Sequence, residues 1–211
     1  MAGYTPQTRD VVFVPVGLAY DRVLEDRILT AAAAAGTRQF RGKPLAIFGF
    51  VCRVTWQKLR RRFMGFGTAA AAFGPPVSLR SFMAEHDGDV TEALGSHLMA
   101  EIVKVVPMLP VPLVAAALTQ QSSAGNTPSR AILLRAITHL IEDLDQAGAV
   151  LKLPPLGVEA ALAEGLAPLI ARGLVTQDFH ATPGSQSVLD FYAAGVLQRL
   201  GHADDAATQQ T

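Results

Sequence analysis

Apolar and polar positions along the chain divide it into a front part that reads as mixed strand and helix and a rear part that reads as helix throughout. Val11 to Leu18 is an apolar run rich in β-branched and aromatic residues with little alternation, the pattern of a strand covered on both faces. Such a strand needs neighbours, and only ten residues precede it, so the chain is expected to open inside a domain. Tyr20 to Ala35, with its alanine run, predicts a helix ending near Gly36. A basic loop over 37–44 leads to a second helix from Leu45 to Phe63. On that helix Leu45, Phe48, Cys52, Trp56, Leu59 and Phe63 fall within roughly 80° of one another on a helical wheel. Thr68 to Phe73 predicts a strand of small residues, implying that something packs close against it. Gly74-Pro75-Pro76 is a turn, Val77 to Phe82 opens a short helix, and 85–89 is a polar loop.

From residue 90 the helical period takes over. Helices are predicted over 90–106, 113–121, from an N-cap at Thr127 with Pro128 first in the helix through Gln146, over 158–172 with Gly173 as its stop, and over 188–200. Residues 174–176 read as a short extended piece and 201–211 as a frayed polar tail. The expected fold class is α/β at the front, two or more strands with a basic helix, followed by an all-helical C-terminal region. The expected divisions are 1–89, 90–202 and a flexible 203–211.

Composition narrows the class. Half of the 211 residues are apolar and 17 % are charged, enough for a core. The most apolar run, Ile102 to Leu118, contains Lys104, Pro107, Pro110 and Pro112, unlike a spanning helix of roughly 20 apolar residues. The first residues lack the basic-then-apolar pattern of a signal peptide. The single cysteine, Cys52, excludes a disulfide framework, and a reducing cytosol is expected. The zero net charge hides an asymmetry: Arg27 to Ala84 holds ten Lys/Arg and no acid, whereas Glu85 onward holds fourteen acids and six bases. The basic block either pairs with acids elsewhere in the fold or faces an anionic partner. Arg53, Lys58, Arg60, Arg61 and Arg62 lie off the apolar stripe of helix 45–63 and form the candidate face for an anionic membrane surface. If the stripe is spent on the core, only these cations meet headgroups.

The histidines offer no metal spacing. His86, His97, His139, His180 and His202 have no second histidine three or four residues away, and no metal or cofactor is expected. His86 lies between Glu85 and Asp87, and His139 near Glu142 and Asp143; both read as solvated. There is no Gly-x-Ser-x-Gly elbow, phosphate loop or dinucleotide fingerprint. Residues 128–176 follow a winged-helix outline, but their few bases argue against a nucleic-acid partner.

Three segments carry a family resemblance. Val14-Pro15-Val16-Gly17-Leu18-Ala19-Tyr20-Asp21 resembles the fourth conserved block of the glycerol-3-phosphate acyltransferases, the large bacterial membrane-associated type. Phe73-Gly74-Pro75-Pro76-Val77-Ser78-Leu79 is similar to that family's strand ending in Phe-Gly-x-Pro-apolar. Leu94 to Leu118 resembles its helix and following Pro…Leu-Val-Ala segment, and 129–144 fits its C-terminal helical region. The resemblance implies phospholipid biosynthesis: acyl transfer from acyl-CoA or acyl carrier protein to the 1-hydroxyl of glycerol 3-phosphate. It implies a cytoplasmic, peripheral place at the inner face of the cell membrane. It also implies that Val14, Pro15, Val16, Tyr20 and Asp21 belong to the acceptor-site wall.

The family's general base is a His in an H-x-x-x-x-D block ahead of the fourth block, with the Asp orienting the His. In this chain the residues five places after its histidines are Thr91, Ile102, Leu144, Ser185 and Ala207, none of them Asp. Glu164-Gly165 echoes the family's Glu-Gly block only in letters, since it falls on a predicted C-terminal helix. No catalytic residue is therefore expected in these residues, and the chain alone is expected to be inactive. The alternative is a non-catalytic helical module binding a membrane surface or a partner.

Overall fold

A computed structural model of the chain describes residues 9–23, 26–34, 67–86 and 88–208. Helix 45–63 and its basic face, Arg53, Lys58, Arg60, Arg61 and Arg62, lie outside the described residues. Those that are described form a mixed α/β arrangement with a helical C-terminal part. The elements run β1 (Val12–Phe13), β2 (Val16–Tyr20), α1 (Asp26–Ala34), β3 (Ala69–Phe73), β4 (Val77–Ser78), α2 (Leu79–Glu85), α3 (Thr91–Val105), α4 (Pro110–Ser123), α5 (Arg130–Gln146), α6 (Val158–Ala171) and α7 (Gln186–Thr208).

The strand expected over 11–18 is two strands. β1 pairs antiparallel with β4 and β2 antiparallel with β3, in register Val16↔Phe73 through Tyr20↔Ala69. The two pairings are halves of one ribbon, interrupted where Pro15 faces Gly74-Pro75-Pro76. A proline cannot donate to the ladder, and the Gly74 N–H to Pro15 carbonyl bond of 2.8 Å is what joins the halves. The expectation of cover on both faces also fails among the described residues. Val16, Leu18 and Tyr20 point outward at 38, 57 and 52 % exposure, while Gly17 faces inward. There β2 meets α3 so closely that a Cβ on Gly17 would stand 2.5 Å from the Val105 carbonyl oxygen.

Tyr20, expected to start a helix, instead ends β2, because the ladder with β3 holds it extended; α1 begins at Asp26. The helix expected over 113–121 starts earlier, at Pro110. Proline is tolerated in a first turn, whose N–H groups have no intrahelical acceptor. The N-cap of α5 is Ser129 rather than Thr127: its Oγ accepts from the Ile132 N–H at 3.3 Å, so Pro128 stands just outside the helix. α7 continues past Leu200 to Thr208; Gly201 does not stop it, and the alanines that follow favour helix.

α4 is the centre of the helical part. Pro110, Val111, Leu113, Val114, Ala115, Ala116, Ala117 and Leu118 are all buried, as expected of a helix apolar on every side. α7, α6 and α5 pack around it. At its closest approach, α6 presents Gly165, where a Cβ would lie 2.6 Å from the Pro110 carbonyl oxygen. From Val105 onward the apolar run is thus spent on the core, while Val103 stays exposed, and no described helix is long and apolar enough to cross a membrane. A separate small cluster of Leu79, Phe82, Val90 and Leu94 joins α2 to α3.

Candidate functional site

The five residues that the resemblance places in the acceptor wall do not converge on one cavity. Pro15 is buried against the ribbon's own interruption, and Val14, Val16 and Tyr20 are exposed on the outside. Asp21 turns inward, 9 % exposed. One oxygen of its carboxylate accepts from the Val111 N–H at 3.3 Å, one of the N–H groups left open in the first turn of α4. Burial pushes the Asp21 carboxyl above its ordinary value, against hydrogen bonds from Val111 and Thr68 that lower it; the nearby Glu164 charge adds to the rise. Asp21 therefore caps the central helix from outside and fastens the end of β2 to it.

Beside that anchor lies a polar cluster that the sequence pattern does not reveal. Asp26, in the first turn of α1, is 1 % exposed. Arg172, just past the end of α6, meets its Oδ2 at 2.6 Å and its Oδ1 at 2.8 Å. The Tyr192 hydroxyl on α7 donates to Asp26 Oδ2 at 2.7 Å and accepts from Arg172 Nη1 and the Val23 N–H, both at 3.0 Å. Burial raises the Tyr192 pKa, and the hydrogen bond to Asp26 raises it further. For Arg172 burial acts downward, but the hydrogen bonds and charges of Asp26 and Tyr192 together outweigh it and the net shift is upward. Both stay in their ordinary forms, phenol and guanidinium. The cluster is a clamp between α1 and the helical part, with its charges turned on each other.

A cleft of about 440 Å³ opens between β4, α2 and α3. Pro76, Val77 and Ser78, part of the segment resembling the family's Phe-Gly-x-Pro strand, form one wall; Glu85, His86 and His97 stand on the others. His86 stacks on Phe82 at 4.1 Å between ring centroids, and its Nδ1 donates to the Phe82 carbonyl at 2.9 Å. His97, on α3, lies 5.4 Å from the same ring. Folding thus brings His86 and His97, from different elements, against one phenylalanine. His139 and its Glu142 neighbour, 3.5 Å apart, are exposed on α5, as their position on the wheel predicts. Among the described residues no cluster of three His, Cys, Asp or Glu side chains could hold a metal ion.

A short antiparallel ribbon, its strands broken by prolines and tied through a buried carboxylate to a bundle centred on one apolar helix, defines a mixed α/β protein with a helical C-terminal region. Compared with known families, residues 54–194 match the glycerol-3-phosphate acyltransferase C-terminal region, and the chain belongs to that family. The match takes in β3, β4 and every helix from α2 to α6, together with the part of α7 that carries Tyr192. Among curated proteins none matches the chain.

Proposed function

We propose that this chain serves glycerol 3-phosphate acylation in phospholipid biosynthesis as the part of the enzyme that supports the acceptor side, and that its 211 residues alone do not catalyse transfer. The observation that carries the reading is the family match over 54–194. It is supported by the ribbon, in which the segment resembling the family's fourth block pairs with β3, the strand that ends at Phe73 where the Phe-Gly-x-Pro-like segment begins. The acyl donor is acyl-CoA or acyl carrier protein, the acceptor glycerol 3-phosphate, and the place of work the inner face of the cell membrane. The front portion, to about residue 89, is the acyltransferase-like unit, and 90–202 the helical one.

Inactivity follows from the chemistry. The acceptor hydroxyl must lose a proton as it attacks the thioester carbonyl, which calls for a base in hydrogen-bond reach. None of the five histidines is followed at the fifth place by an aspartate to orient it. The test is the purified chain with labelled glycerol 3-phosphate and acyl-CoA or acyl carrier protein. Product at the level of the blank is expected; turnover above it overturns the reading.

A further inference from the structure

An antiparallel sheet with one face in water commonly alternates apolar and polar residues. Along β2 the outward positions are instead Val16, Leu18 and Tyr20, and the register sets Phe73, Ala71 and Ala69 of β3 opposite them. In the whole chain all six are exposed, Phe73 at 70 % and Leu18 at 57 %. The stripe runs on through Val14 and Val12, which are exposed too, and a contiguous apolar face of this kind marks an interaction surface. The face is stepped as well as apolar. β2 contributes a ridge of larger side chains, and Ala71 and Ala69 of β3 form a trough beside Leu18 and Tyr20.

We infer that this face is the interface between two copies of the chain, related by a twofold axis that runs parallel to the strands and midway between β2 and β3. That rotation carries each β2 over the β3 of the other copy without reversing the strands. Because Leu18 pairs with Ala71 and Tyr20 with Ala69, it lowers Leu18 and Tyr20 of each copy into the trough of the other. Phe73 of each copy then lies over Val16 of the other and closes that end. A twofold axis running across the strands would set ridge on ridge. The contact is isologous and closes at two copies, as two sheets face to face about 10 Å apart and crossed by roughly 30°. Area agrees: the exposed stripe presents on the order of 700 Å² per copy, close to the ~800 Å² that each partner contributes to a stable interface. None of these side chains is charged, so copy meets copy without repulsion and without a buried unpaired ion. The same lack of charge leaves nothing on the face to attract an anionic lipid surface, and a fluid lipid layer selects no step.

The test is the oligomeric state of the full chain, read by sedimentation equilibrium over a range of concentrations. Circular dichroism is the control for folding, and co-sedimentation with neutral and anionic vesicles is a separate arm. The wild-type chain is expected to be a dimer at micromolar concentration and to leave both kinds of vesicle unbound. Leu18→Glu, which brings a carboxylate from each copy into the interface, should be a monomer. Ala71→Leu makes the face more apolar but fills the trough. Its dimer should dissociate about tenfold or more readily, since the overpacking is met twice in a symmetric pair. Ala69→Leu repeats that test one pair along should Ala71→Leu fold poorly. A wild-type monomer at every concentration overturns the inference, as do open polymers in place of a dimer. So does a dimer that either Leu18→Glu or the folded alanine variant leaves undiminished, which would put the contact elsewhere or in another packing. Vesicle binding by the wild-type chain that Ala71→Leu strengthens overturns it in favour of a lipid occupant.

Discussion

Gly165 shows how much one atom decides. Its Cβ position is taken, 2.5 Å from Val114 Cγ2 and 2.6 Å from the Pro110 carbonyl oxygen, and the second of these is backbone that cannot swing aside. Gly165→Ala should therefore lower stability by about 1–3 kcal/mol through overpacking, despite alanine's better helix propensity; thermal unfolding reads it directly. The same glycine explains why Glu164-Gly165 echoes a family motif without sharing its place: it is where α6 meets α4. Asp21 argues through charge. Its folded pKa lies above the group's ordinary value of 3.8, so the folded state holds the proton more tightly than the unfolded one. Stability from this group is then greatest at low pH and falls as pH rises from 3.8 through the raised folded value. Asp21→Asn keeps an acceptor for the Val111 N–H and removes the buried charge. Its melting temperature should exceed the wild type's at pH 7, with the margin shrinking toward pH 4; a margin independent of pH would contradict the assignment.

Between elements, the clamp of Asp26, Arg172 and Tyr192 fastens α1 to the helical part. Arg172→Met takes the guanidinium away from both oxygens of the buried Asp26 carboxylate and should cost about 3–5 kcal/mol. Tyr192→Phe deletes a hydroxyl that serves three partners and should cost about 1–3 kcal/mol. A double-mutant cycle read by chemical denaturation should show the two losses to be non-additive, since both act on one carboxylate. Nothing in the sequence pointed to this trio. Asp26 and Arg172 look like ordinary ends of helices, and Tyr192 like one aromatic on a core stripe. Their partners are 20 to 166 residues apart, and only the packing of α1 on α7 brings them together. The helices themselves were far more legible. α3, α5 and α6 lie close to the ranges their periodicity predicts, because an apolar stripe every three to four residues is the physical cause of their burial.

Across the whole molecule, the sequence by itself determined the helical C-terminal part, the break at the proline turn and the family. It also determined the absence of a histidine followed by aspartate at the fifth place, from which the lack of turnover in the isolated chain is expected. Those properties reside in local pattern: repeat period, residues that cannot continue a strand or helix, and short motifs in a set order. Tertiary structure alone decided what lies opposite what. The apolar start of the chain read as a strand covered on both faces, yet Pro15 and Pro75-Pro76 split it into two pairings and its outer side chains stand exposed. An apolar run records that a segment can be buried; it does not record which neighbour will cover it. Asp21, which the resemblance assigns to the acceptor wall, turns inward and accepts from the Val111 N–H, because the open N–H groups in the first turn of α4 donate to an acceptor within reach. Long-range geometry of that kind has no local signal, and so it becomes visible only once the chain is folded.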